Sequence, residues 1–118
     1  MKRYIIKIGI ASEAELKQRS IDIAAGRRRR QRGEPKVWFT SMRAAAEVLS
    51  EKNRELLRIL AEERPESVRE LAELTGRAES NLSRTLKTLA GYGFLRLERK
   101  DKTVRPIAHP LEFRIQAN

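Results

Sequence analysis

The chain carries 118 residues, no cysteine and a formal net charge of +10, which bounds it to one small domain with an extension and excludes disulfides, thiolate metal sites and thiol nucleophiles. Its apolar runs are too short for a membrane span or the core of a signal peptide, so a cytoplasmic protein with no membrane partner is expected. Eleven Lys and Arg against four acids give residues 1–36 a charge of +7, six against eight give 37–76 a charge of −2, and nine against four give 77–118 a charge of +5. A chain basic at both ends most often meets nucleic acid, and less often an acidic protein or an anionic membrane surface.

RYIIKIGI, residues 3–10, places Tyr4, Ile6, Ile8 and Ile10 on one face at period two, the pattern of a strand. Ser12-Glu13-Ala14-Glu15 has the form of a capping box, and the helix it opens runs to about Ala25 and stops at Gly26. RRRRQRGEP (27–35) follows as a charged linker. KVWFTS (36–41) contains a short strand, and Ser41 or Thr40 caps a helix through Leu49 on which Met42, Ala45, Ala46 and Leu49 share a face. Ser50 caps the next helix, about residues 51–63, which turns Leu56, Leu57 and Leu60 inward. Beyond Pro65, Ser67-Val68-Arg69-Glu70 is a second capping box, opening a short helix that shows Val68, Leu71 and Leu74 to the core.

In LAELTGRAESNLSRTLKTL (71–89), Thr75-Gly76 interrupts two apolar runs of helical period. A turn that tight needs a residue at positive φ, which glycine adopts without penalty. The helix after it buries Leu82, Leu86 and Leu89 and carries Ser80, Asn81, Arg84, Lys87 and Thr88 on the opposite face. Gly93 is placed to stop it with Phe94 folding back on Leu89, while Gly91 inside its last turn costs roughly 1 kcal/mol relative to alanine and points to close packing or fraying. FLRLERKDKTVRPI then alternates as a hairpin, turning about Lys100-Asp101-Lys102, with Pro106 making the return strand short or an edge. Arg99, Lys100, Lys102 and Arg105 are expected to cluster at its tip. The expected fold is α+β and mainly helical. It is a winged helix-turn-helix in residues 41–107, with an N-terminal strand-helix-strand extension and basic linker in 1–40 and a C-terminal strand or tail in 108–118.

Residues 50–107 resemble the MarR-like winged-helix transcription regulators, LAELTGRAESNLSRTLKTLAGYGFLRLERKDKTVRP carrying most of the likeness. The whole chain is similar to a subset of small DNA-binding regulators with an N-terminal strand and helix, a basic linker and a short aromatic strand. Some members of that subset look like antitoxins of small toxins encoded beside them. The resemblance implies a sequence-specific regulator that binds double-stranded DNA and represses its own operon, with an acidic toxin protein as a further partner. A homodimer is expected from the isoleucine face of the first strand and the alternation of Leu111, Phe113 and Ile115. One position departs from the pattern: Ala78 stands where such families commonly place a Ser or Asp cap, a loss of order 1 kcal/mol.

In a helix-turn-helix the second helix enters the major groove. Arg84 is suited to a bidentate pair with guanine and Asn81 to one with adenine, each discriminating by roughly 1–3 kcal/mol. Ser80 serves either base or phosphate, while Arg77, Ser83, Lys87 and Thr88 are placed for phosphates and the four basic wing residues for backbone or minor groove. The competing reading of all these residues is a solvated helix face. Arg27, Arg28, Arg29, Arg30 and Arg32 admit three readings: a disordered linker, an arm on DNA, or a surface for an acidic partner. Trp38 and Phe39 are packing residues by default, and His109 beside Pro110 is a turn residue. There is no Walker loop, metal-ligand cluster or pair of facing acids, so neither enzymatic activity nor a cofactor nor a metal is expected. The alternative function is a basic interaction or RNA-binding protein that uses the winged helix as a docking module.

Overall fold

The computed structural model describes residues 3–117. In chain order its elements are β1 (Tyr4–Ile10), α1 (Glu13–Ala24), β2 (Val37–Phe39), α2 (Met42–Val48), α3 (Glu51–Glu63), α4 (Val68–Thr75), α5 (Glu79–Gly91), β3 (Arg96–Lys100), β4 (Thr103–Ile107) and β5 (Leu111–Ala117). The fold is α+β and mainly helical, as expected. Among the described residues, no helix is long and apolar enough to cross a membrane.

Helices α1 to α4 each begin after a serine whose hydroxyl accepts from the backbone N–H three residues on: Ser12 from Glu15, Ser41 from Ala44, Ser50 from Asn53 and Ser67 from Glu70. A cap of this kind contributes about 1 kcal/mol. The box at Ser12 is complete, with the Ser12 N–H donating to Glu15 Oε1 at 3.3 Å. The one expected at Ser67 is half formed, because the Glu70 carboxylate accepts instead from the N–H of Glu66 at 3.0 Å.

By contacts the chain divides into two compact units. One comprises Ile5–Leu49 and residues 112–117; the other comprises Ser50–Leu111 and residues 3–4. The division falls after Leu49, later than the boundary after residue 40 expected from sequence, and α2 therefore groups with the N-terminal elements. It also parts the C-terminal segment, grouping residues 108–111 with the helices and the rest with the first unit.

In the first unit β1 is the central strand of a sheet ordered β2-β1-β5. β1 and β2 run parallel, with Ile8 opposite Val37, Gly9 opposite Trp38 and Ile10 opposite Phe39. A parallel pair requires a long crossover, which α1 and the arginine segment supply. A Cβ on Gly9 would lie 2.4 Å from carbons of the Trp38 ring, so the indole can lie across the strand only because residue 9 has no side chain. The buried side chains of this unit among the described residues are Ile8, Ala11, Pro35, Phe39, Ala45 and Leu49. On α2 the covered side turns toward Ala44 and Val48, which leaves Ala46 exposed and Met42 53% exposed, contrary to the shared face expected of them.

The second unit buries Leu56, Leu57, Leu60, Leu71, Leu82, Leu86, Leu89, Phe94 and Leu95. Helix α3 ends at Arg64, a non-glycine residue in the left-handed region (φ 48°), and buried Pro65 follows. On α4 the covered side turns toward Val68, Ala72 and Thr75 around fully buried Leu71. Leu74 thus falls on the far flank, 50% exposed rather than in the core as its spacing suggested. β3 and β4 form a two-stranded antiparallel ribbon in the register Arg96–Ile107, Leu97–Pro106, Glu98–Arg105, Arg99–Val104 and Lys100–Thr103.

Candidate nucleic-acid interface

The turn between α4 and α5 is built from three residues. Gly76 takes φ 70° and donates its N–H to the Ala72 carbonyl at 2.8 Å. The Thr75 hydroxyl donates to the Leu71 carbonyl at 2.9 Å and accepts from the Arg77 N–H at 3.3 Å. Ala78 makes no side-chain cap; the hydroxyl of Thr75 braces the segment from upstream instead, and Glu79 places a carboxylate in the first turn, where the helix dipole favours it. The other end of α5 closes as a Schellman motif: Gly93 at φ 84°, its N–H on the Ala90 carbonyl (2.9 Å) and the Phe94 N–H on the Leu89 carbonyl (3.1 Å). A Cβ on Gly91 would meet nothing within 4 Å, so close packing does not explain that glycine.

With both ends anchored and Leu82, Leu86 and Leu89 at 0–1% exposure, the rotation of α5 about its axis is fixed. Ser80, Asn81, Arg84, Lys87 and Thr88 lie together on its exposed face. Thr88 returns its hydroxyl hydrogen to the Arg84 carbonyl at 3.2 Å, which keeps its oxygen lone pairs for an incoming donor and denies a phosphate that proton. Arg77 is half-buried in the turn. Ser83 is also half-buried, on the flank beside the hairpin, where it lines an apolar groove of about 440 Å³ with Val68, Leu86, Lys87, Leu97, Arg99 and Val104. It is less exposed than Lys87 and Thr88, with which it was expected to contact phosphates.

The hairpin splits the four basic residues expected at its tip. Asp101 takes φ 55° in the turn, and the Thr103 hydroxyl donates to the Lys100 carbonyl at 2.9 Å. Lys100 ends β3 and Lys102 is the second residue of that turn; both are exposed. Arg99 shares its face with Leu97, toward the groove beside α5. Arg105 sits mid-strand opposite Glu98, half-buried in a recess with Arg64 and His109, and so is not a tip residue. Strand alternation puts residues 99 and 105 on opposite faces; the two-residue turn alone unites Lys100 and Lys102.

The arginine segment is neither helical nor loose. Arg27 pairs with Asp22 at 3.0 Å, and Arg28 with Glu34 at 2.7 Å. Arg19 binds the other Glu34 oxygen at 2.8 Å while its guanidinium lies 5.0 Å from the Trp38 ring centroid. The Arg28 guanidinium, helped by Arg19 and the Gln31 N–H, holds the Glu34 carboxyl at about 2 against its ordinary 4.5. The Gln18 amide and then Arg27 likewise lower Asp22. Arg29, Arg30 and Arg32 are exposed. The Arg19–Glu34–Trp38 cluster was not among the expected sites; its signal in the sequence is the single acid closing an arginine run just before the only tryptophan.

Helix, glycine turn, helix and antiparallel hairpin make Ser50–Ile107 a winged helix-turn-helix. The chain belongs to the HVO_A0114 family, whose model matches residues 48–114. It is similar to a solved structure described as the predicted DNA-binding transcriptional regulator from E. coli, at 21% identity and a TM-score of 0.47 over 82% of this chain and 83% of that one. No curated protein matches it.

Proposed function

We propose that this chain is a sequence-specific double-stranded DNA-binding transcription regulator acting as a dimeric autorepressor in the cytoplasm. One observation carries the reading: α5 buries its leucines and holds Ser80, Asn81, Arg84, Lys87 and Thr88 on one exposed face, with its C-terminal end closed by Gly93 and Phe94. A recognition helix needs that arrangement, because its first turns meet base edges only when its rotation about the axis is set. Arg84 supplies the bidentate fork for guanine O6 and N7, and Asn81 the paired donor and acceptor for adenine. Lys87, further along the same face, takes a flanking phosphate, Thr88 offers its oxygen only to a donor such as a base amino group, and Arg77 lies at the near end. Lys100 and Lys102 at the wing tip reach the backbone beside the groove, with Arg99 on the α5 side.

The dimer is supported by β5, which forms an open edge of its sheet and leaves Ile115 44% exposed. Two such edges joined in a twofold pair would set two recognition helices on a palindromic site. Sedimentation showing only monomer at micromolar concentration would remove this part. The acidic toxin partner rests on the family resemblance; a small toxin-like reading frame beside the gene supports it, and an unrelated neighbour removes it.

The deciding experiment is fluorescence anisotropy with a duplex from the gene's own upstream region and a scrambled duplex of equal length, across a salt series. Sequence-specific binding keeps the upstream duplex tighter as salt rises, and Arg84→Ala erases the difference. Parallel loss of both duplexes with no preference at any salt concentration overturns sequence-specific reading.

A further inference from the structure

We propose that the segment between α1 and β2 is a second, sequence-independent docking site for the phosphate backbone of duplex DNA, formed by the guanidiniums of Arg29, Arg30 and Arg32. The five arginines of the run are not equivalent. Arg27 and Arg28 are consumed in holding the segment in place, through Asp22 and Glu34. Further ties fix both ends: the backbone N–H groups of Arg27 and Arg28 donate to the Asp22 carbonyl, the Lys7 ammonium to the Gly33 carbonyl at 3.1 Å, and the Lys36 N–H to the Lys7 carbonyl. Glu34, the one acid within residues 27–36, already accepts from Arg19, Arg28 and the Gln31 N–H. Arg29, Arg30 and Arg32 have no ion pair or hydrogen bond among the described residues and are exposed.

Three uncompensated charges in four consecutive residues, on a segment already ordered, match a regular polyanion. Fully extended, residues 29 to 32 span about 10 Å, and one strand of a duplex carries a phosphate every ~3.4 Å of axis. Neighbouring phosphates are therefore within reach of all three side chains, and guanidinium binds phosphate oxygens through two parallel hydrogen bonds. Because the backbone is pre-ordered, little conformational freedom is lost on binding. This site shares with the proposed function the choice of DNA as partner and makes no use of α5.

The test uses the full chain and the scrambled duplex. Each neutralised phosphate adds about 0.9 to the slope of log K against log salt. The triple variant Arg29→Gln/Arg30→Gln/Arg32→Gln should therefore lose about 2.7 of slope, equally on the upstream duplex and in an Arg84→Ala background. Triple replacement by Lys should restore the slope. Arg84→Ala alone should abolish sequence preference and leave most of the slope, so failure of the recognition helix and failure of this site are distinguishable. Circular dichroism checks that the variants fold. An unchanged slope in the folded triple Gln variant overturns the proposal. So does a loss confined to single-stranded RNA or to an acidic peptide probe, which would assign the loop to that partner instead.

Discussion

Gly91 occupies an ordinary helical position on the exposed side of α5, and an added Cβ there meets open space. Replacing it removes backbone freedom from the unfolded chain at no steric cost. Gly91→Ala is therefore expected to stabilise the protein by roughly 0.5–1 kcal/mol, read as a rise in the midpoint of thermal unfolding. Gly9 is the opposite case. A methyl group there would overlap the Trp38 ring, and since the ring is held by Arg19 above it, neither partner can withdraw cheaply. Gly9→Ala should cost about 1–3 kcal/mol by overpacking, with a shifted tryptophan emission that reports the displaced indole. Both glycines stand in regular elements; only the space around each Cα sets the sign.

At the scale of an element, the arginine segment behaves as a strap whose buckle is Glu34. The folded-state pKa of that carboxyl, about 2, lies below its ordinary 4.5 because Arg28 and Arg19 bind the charged form. The anchoring is therefore complete above about pH 4.5 and is lost as pH falls from there toward 2. Emission from Trp38, which shares Arg19 with Glu34, should follow that acid transition. Glu34→Gln should give, at neutral pH, the emission the parent shows at the acid end. Helix α5 makes a second element-scale prediction. Leu82→Ala, at 0% exposure, should destabilise by about 2–5 kcal/mol and weaken every duplex alike. Arg84→Ala, on the exposed face, should leave the melting midpoint unchanged.

For the molecule as a whole, the charge of +10 would supply attraction to DNA and the winged helix would supply choice. Six to ten phosphate contacts would reduce affinity by about 10³–10⁵ between 50 and 200 mM salt. Loss of one bidentate base pair would reduce the preference for the upstream site by roughly 1–3 kcal/mol, independent of salt. The two are separable in one anisotropy titration. Assembly is separable as well: Ile115→Lys, on the open β5 edge, should shift sedimentation to monomer and weaken the upstream duplex without altering the recognition face.

Much of this was legible from one-dimensional pattern. Serine caps announced α1 to α4, Gly76 and Gly93 marked the turn and the end of α5, and leucine spacing identified its buried stripe, because each of these signals acts within a few residues of chain. The polar face of α5 followed by geometry from that stripe. What the sequence could not show were matters of rotation and partner. Leu74 and Met42 are apolar at helical spacing yet lie outside, since the elements packed against α4 and α2 choose which flank is covered. Arg105 left the wing tip because strand pairing set it opposite Glu98. The arginine run looked uniform in one dimension. Only the fold, by bringing Asp22, Glu34 and Trp38 to it, decided which two arginines are held in ion pairs and which three stay exposed.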